Sequence, residues 1–253
     1  MREKFNSFFS NKNTITEISD KDISQTENYL EVVKTFAKLT YQSVYIIDYQ
    51  KRNFEYVSDN PIFLCGLTSE EVRELGYDFY FKNVGEKDLN LLLKINQIGF
   101  DFFDNLPVED RKNYTISYDF HIINEKKNSI LINHKLTPLF LNEEGKIWKA
   151  MCIVSLSPNH SSGNIIISSI KSEIISEFNL EDNVWENKKK AKLSDRETEI
   201  LTLHARGLTI NEIAEKIFLS PDTVKFHRRK LFEKMGVENI TEALSYATHN
   251  KLL

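Results

Sequence analysis

The chain has 253 residues, 41% of them apolar, enough to bury a core and consistent with one or two domains. Cys65 and Cys152 are the only cysteines, which excludes a disulfide framework or a four-thiolate metal site, and eight glycines leave little material for phosphate-cradling loops. The formal charge of −4 is uneven: residues 188–253 hold 13 Lys and Arg against 9 Asp and Glu, and residues 1–187 hold 20 against 28. A phosphate backbone attracts the first region and repels the second, so any nucleic-acid contact is expected at the C-terminal end. No apolar run reaches bilayer length and the first residues lack a signal-peptide core, so a cytoplasmic protein without membrane contact is expected.

Residues 1–22 are polar and without period, and a mobile lead-in is expected there. From Gln25 to Leu39 the residues Tyr29, Val32, Val33, Phe36 and Leu39 recur at helical spacing, predicting an amphipathic helix that packs on the elements after it. Ser43–Ile47 and Phe54–Val57 are short β-branched and aromatic runs around the turn-like Tyr49–Asn53, a hairpin pattern. Helical pieces come next, one capped by Thr68 or Ser69 ahead of Glu70, Glu71 and Val72, and one from about Asp88 to Ile98. Alternation returns in Tyr114, Ile116, Tyr118, Phe120 and Ile122, then in runs from Ser129 to Phe140 and Lys146 to Leu156. The connections are too short for a parallel crossover, so these strands are antiparallel neighbours.

Ser161-Ser162-Gly163 reads as a linker, and the Ile-rich Asn164–Ser168 and Glu173–Phe178 read as extra strands, so residues 159–188 are expected to be a β-rich connector. Beyond it, Ser194-Asp195-Arg196-Glu197 and Thr209-Ile210-Asn211-Glu212 are capping boxes, Ser220 precedes a proline suited to a first helical turn, and Asn239 stands three residues before Glu242. These signals start four helices, with inward faces Ile200, Leu201, His204; Ile210, Ile213, Ala214, Ile217; Val224, His227, Leu231, Met235; and Ile240, Ala243, Leu244, Ala247. Gly207 and Gly236 sit where the first and third should stop. Phe218, Leu219 and the cap Ser220 alone separate the second helix from the third, the tight connection of a helix-turn-helix.

With Val224, His227 and Leu231 turned inward, Lys225, Phe226, Arg229 and Lys230 fall on the outward arc of the third helix. Cations there can bond guanine edges, and Phe226 can pack on a thymine methyl. Ser220, Thr223 and Thr209 are expected to hold phosphates. Lys234 with Glu233 is read as a solvated face, His227 as a hydrogen-bonded core residue, and Glu197 as a capping and packing residue.

Leu193–Leu201, Ala205–Thr209, Glu212–Ala214, Ser220–His227 and Leu231–Val237 are together similar to the LuxR-type DNA-binding domain. The resemblance implies a regulator bound to double-stranded DNA as a homodimer, pairing through the outward side of Thr241–Asn250. Upstream, two strands, short helices and a three-stranded meander, with the phrase Pro61–Val72, resemble the PAS sensor fold. The expected architecture is therefore α+β: a PAS-like antiparallel sheet with short helices over residues 23–158, then a four-helix helix-turn-helix domain over 189–253.

Val44–Asp48 superficially resembles the first strand of a phosphorylated receiver, but Tyr49 stands where a second acid should be and the later strands form a meander. No histidine lies between Asp88 and Phe103, where haem-binding PAS relatives place theirs, and the Asn-Cys-Arg-Phe flavin signature is missing. No cofactor or metal is expected, and Cys65, Cys152 and His121 are read as packing residues. Phe79-Tyr80-Phe81 and the Phe100, Phe102, Phe103 cluster are read first as plain core, as such aromatic stripes more often are, and second as the lining of a pocket, leaving a small-molecule or a protein signal open. No nucleophile elbow, phosphate loop or metal cluster points to an enzyme. The competing reading is an interaction regulator whose bundle does not bind DNA.

Overall fold

The computed structural model describes residues 6–26, 28–250 and 252. Its contacts divide into two units, Met1–Lys188 and Lys189–Leu253. In the first, α1 (Asp20–Ser24) and α2 (Tyr29–Leu39) precede the hairpin of β1 (Ser43–Asp48) and β2 (Asn53–Val57). The Asp48 carboxylate builds the hairpin turn by accepting from the amides of Gln50 and Lys51, at 2.9 and 3.0 Å. Helices α3 (Pro61–Leu64), α4 (Ser69–Leu75), α5 (Asp78–Asn83) and α6 (Glu86–Asp104) come next, with α4 opened by a Thr68–Glu71 capping box. α6 extends past both ends of the expected helix because Phe100 and Phe103 continue the buried stripe of Leu92 and Ile95. Gly99 lets that helix approach the sheet: a Cβ there would stand 3.1 Å from Ile116 Cδ1.

β3 (Tyr114–Ile123), β4 (Ser129–Leu141) and β5 (Ile147–Leu156) form the antiparallel meander. β5 then returns beside β1, with Tyr45 opposite Cys152, giving the order β2-β1-β5-β4-β3. This is an antiparallel sheet with the short helices inserted between β2 and β3. β1 lies between β2 and β5 and all six of its residues are buried: Tyr45 and Ile47 face the α4–α6 side, whereas Val44 and Ile46 face α2.

Four expectations need correction. The stretch 159–188 is not a separate connector: β6 (Gly163–Ser169), β7 (Ile174–Asn179) and β8 (Val184–Lys189) prolong the same sheet beyond β3, with Ile116 opposite Ile167. Alternation in β6 buries Ile165 and Ile167, and Trp185 packs its ring 5.2 Å from Phe102 on α6. The turn before β6 is pinned at Asp119, whose buried carboxylate accepts from Asn133, Asn159 and Asn164 at 2.8, 2.6 and 2.8 Å. His121 is likewise a polar pin, with Nδ1 2.9 Å from both the Asp88 carboxylate and the Ser162 hydroxyl.

Within residues 1–22, the described part is packed where a loose lead-in was expected. Phe8 and Ile15 are buried in the main core and the Asn13 amide donates to the Phe8 carbonyl at 2.7 Å. Finally, α2 buries Val33 and Ala37 against the sheet, but Val32, Phe36 and Leu39 face solvent. Its docking is set by Tyr29, whose hydroxyl bonds Glu55, and by buried Lys149, 2.8 Å from Glu55 and 5.2 Å from the Tyr29 ring. A polar anchor of this kind fixes which face of the helix turns inward, against the simple apolar count.

Candidate nucleic-acid interface

The second unit contains α7 (Asp195–Ala205), α8 (Ile210–Lys216), α9 (Pro221–Met235) and α10 (Ile240–His249). Each starts where a side chain accepts an otherwise orphaned amide. Ser194 takes that of Glu197 at 3.4 Å, Thr209 that of Glu212 at 3.4 Å, Ser220 that of Thr223 at 3.1 Å and Asn239 that of Glu242 at 3.0 Å. α9 stops at Gly236, whose φ of 66° carries the chain out of the helix and whose amide bonds the Phe232 carbonyl.

α7 is the shared wall of two small cores. Ile200 and Leu203 pack with Ile213, Ala214, Ile217 and Val224, while Leu201 packs with Leu231, Met235, Ala243 and Ala247. The first core sets α8 against α9 and the second seats α10. Leu203 was absent from the expected inward face; His204 is half-buried, with Nε2 buried and unpartnered. Burial first, and then the charge of Arg228, hold its imidazole below the ordinary value.

Phe218 and Leu219 make the turn between α8 and α9. Phe218 adopts a left-handed φ of 55° and is 94% exposed, while the Leu219 amide donates back to the Ala214 carbonyl at 2.9 Å. The outcome is a short, bonded corner that sets the start of α9. Sequence spacing gave no sign that a phenylalanine would stand there, strained and in solvent.

On α9, Val224, Leu231 and Met235 are buried, and Lys225, Phe226, Arg229 and Lys230 are exposed, spread over an arc of about 140° at 3.6 residues per turn. Lys225 lies 3.0 Å from Asp222 and Arg229 3.8 Å from Glu233, both pairs in solvent and therefore exchangeable for other anions. The Phe226 ring has the Lys230 ammonium 4.9 Å and the Arg229 guanidinium 5.8 Å from its centroid. Four expected reader side chains thus share one solvent-facing surface.

The hydroxyl-bearing residues are placed differently. The Ser220 and Thr223 hydroxyls bond each other at 2.8 Å at the exposed start of α9. Thr209 opens a seven-residue helix, and its hydroxyl and amide both donate to Glu212, at 2.7 and 2.8 Å. His227 is half-buried, its ring 5.7 Å from that of Phe226.

Lys234 corrects the expectation of a solvated face. Its ammonium lies 2.7 Å from the buried Glu197 carboxylate, which also accepts from the Ser194 amide at 2.8 Å. Burial alone would push the Glu197 carboxyl up, but Lys234 and the Ser194 donors together hold it below the ordinary value. This contact ties the last turn of α9 to the start of α7. It joins residues 37 apart in sequence, so local pattern could not show it.

Residues 191–247 match the family of bacterial regulatory proteins, luxR family. This region is a LuxR-type helix-turn-helix domain. The chain is 29% identical over 136 residues to the oxygen regulatory protein NreC of Staphylococcus aureus (strain bovine RF122 / ET3-1), covering 54% of this chain and 58% of that protein. It is 42% identical over 66 residues to the CsgBAC operon transcriptional regulatory protein of Escherichia coli K12, covering 26% of this chain and 31% of that one. The match therefore spans little more than half of the first relative and about a third of the second. Among solved structures, the Vibrio cholerae VqmA dimer in the absence of target DNA is 18% identical, with a TM-score of 0.35 and 88% of each chain covered. Within the LuxR-type domain, α9 is the helix after the turn, and its exposed face carries Lys225, Phe226, Arg229 and Lys230.

Proposed function

We propose that the protein is a sequence-specific regulator of transcription that binds double-stranded DNA as a homodimer under the control of its PAS-like half. The observation that carries this reading is the exposed face of α9 within a LuxR-type domain. Lys225, Arg229 and Lys230 supply charge for phosphates and donors for guanine edges, and Phe226 supplies an apolar surface for a thymine methyl. Ser220 and Thr223, at the start of the same helix, and Thr209, at the start of α8, are assigned phosphate contacts. The function is binding, not catalysis, and its setting is the cytoplasm. Among the described residues no helix is long and apolar enough to cross a membrane.

Pairing of two copies is assigned to the outward side of α10, where Thr241, Ser245, Thr248 and Asn250 are exposed. Two readers related by a two-fold axis require an operator of matching symmetry. The test is a salt titration of the full-length protein on random genomic duplex fragments, with sequencing of the fragments retained. Steep weakening with salt and a shared two-fold symmetric motif are expected. Absence of binding both by the full chain and by residues 188–253 rejects DNA as the partner.

A further inference from the structure

The turn between α8 and α9 holds a residue whose backbone and side chain both work against the folding of the domain. Phe218 has a φ of 55°, a left-handed conformation that crowds its Cβ, and its ring is 94% exposed. Elsewhere in the chain such backbone falls to residues that tolerate it, Asn28, Asn164 and Asn183 among them. The corner itself imposes the conformation. The Phe218 amide donates to the Glu215 carbonyl at 3.3 Å and the Leu219 amide to the Ala214 carbonyl at 2.9 Å. This closes α8 and turns Leu219 onto the core of Ile213, Ala214 and Val224, leaving the Phe218 ring outside with no packing in exchange for the strain. Backbone strain that gains nothing for the fold points to a binding role.

Phe218 stands two residues before Ser220, so their Cα atoms are no more than about 7 Å apart. Ser220 caps α9, with its hydroxyl 2.8 Å from that of Thr223 at the exposed start of the helix. A helix lying in the major groove brings the chain just ahead of its first turn against the strand that walls the groove. That wall offers two surfaces. Phosphates take cations and hydrogen-bond donors, and the C–H faces of the deoxyriboses take neither. A phenyl ring fits only the second.

Resting on the reading of α9 as the DNA-reading helix, we propose that the Phe218 ring packs on the deoxyribose face of the strand bordering the major groove. The contact adds affinity without reading sequence. It differs in kind from the contacts of Lys225 and Arg229: a sugar stands at every base pair, so its worth is alike on every duplex, and it releases no counterion, so the salt dependence is untouched. Removing roughly 40–60 Å² of apolar surface from water in this way corresponds to about 5- to 12-fold in affinity per half-site.

The test uses full-length protein carrying Phe218→Ala, Phe218→Leu or Phe218→Asn, with fluorescence anisotropy on a selected operator and on a scrambled duplex at several salt concentrations. Phe218→Ala and Phe218→Asn are expected to weaken both duplexes by a similar factor, with the wild-type slope of log K against log salt, and Phe218→Leu to fall between them and wild type. The thermal midpoint of Phe218→Asn should not drop, because asparagine suits the turn, so stability and DNA affinity part company; a merely structural role for the ring would move them together. Hydroxyl radicals cut DNA at the deoxyribose. They should find a sugar beside the groove in each half-site protected by the wild-type chain and open under saturating Phe218→Ala. Wild-type affinity in all three variants, a loss confined to the operator, or a shallower salt slope overturns the proposal. Wild-type affinity combined with lost transcription in a reconstituted assay would give the ring to a protein partner instead. If the unaltered chain binds neither duplex, the DNA reading fails and the Phe218 contact with it. If Lys225→Ala with Arg229→Ala weakens binding while Phe218→Ala does not, the DNA reading stands without Phe218.

Discussion

Replacing Lys225 and Arg229 by alanine, singly and together, asks what the exposed face of α9 does. The residues are one turn apart, about 6 Å along the axis, and both side chains stand in solvent, 56% and 70% exposed. Their partners Asp222 and Glu233 are exposed as well, so removing the cations leaves no buried charge, and the thermal midpoint should hold. On a duplex the two possible roles separate by magnitude and by kind. A cation bonded to a guanine edge contributes about 1–3 kcal/mol of discrimination, so its loss weakens the operator by roughly 5- to 150-fold while nonspecific binding changes little. A cation on phosphate weakens all sequences alike and makes the dependence of log K on log salt shallower by about 0.9. Fluorescence anisotropy at several salt concentrations, on a selected operator and on a scrambled duplex, measures both. If the double variant keeps wild-type affinity and salt slope on both duplexes, α9 is not the reading helix.

Phe218→Asn should stabilise the LuxR-type domain, because asparagine tolerates the left-handed backbone at φ 55° and a 94% exposed ring gives up little packing. A gain of about 1 kcal/mol in denaturant unfolding is expected, and a loss would show that the ring contributes contacts. His134 titrates near 3 when folded, against 6.5 as its ordinary value, because burial disfavours its charged form. The unfolded chain therefore binds the extra proton first, so stability is lost as pH falls from about 6.5 towards 3, by up to about 1.4 kcal/mol per pH unit from this residue. His134→Gln should flatten the dependence of unfolding free energy between pH 6 and 5; an unchanged slope would place the titration elsewhere. Burial pushes the Cys65 thiol up to about 11, and Cys152 is fully buried. Neither should react with a thiol reagent at pH 8 before unfolding, and prompt labelling of the native chain would contradict the packing around β1 and β5.

The chain's own order carries much of this. Capping boxes at Ser194 and Thr209, the Ser220-Pro221 start, and apolar residues three and four apart are interactions within one helical turn, so a linear reading finds α7 to α10 and the outward placement of Lys225, Phe226, Arg229 and Lys230. The hairpin and the meander are legible for the same reason, since antiparallel neighbours joined by short turns need no distant partner.

Tertiary structure decided what depends on residues far apart. Alternation in β6 announces a strand but not its neighbour, and only pairing with β3 shows that residues 163–189 prolong the front sheet. An apolar count cannot choose the inward face of α2, because Tyr29, Glu55 and Lys149 set it through polar contacts across more than a hundred residues. The same holds for Phe8, for Lys234 on Glu197, and for His134 Nδ1, whose surroundings come from strands and helices that meet only in the folded chain. Local hydrogen bonds and helical period are written in adjacent residues, whereas burial and partnership are properties of the surface each element meets.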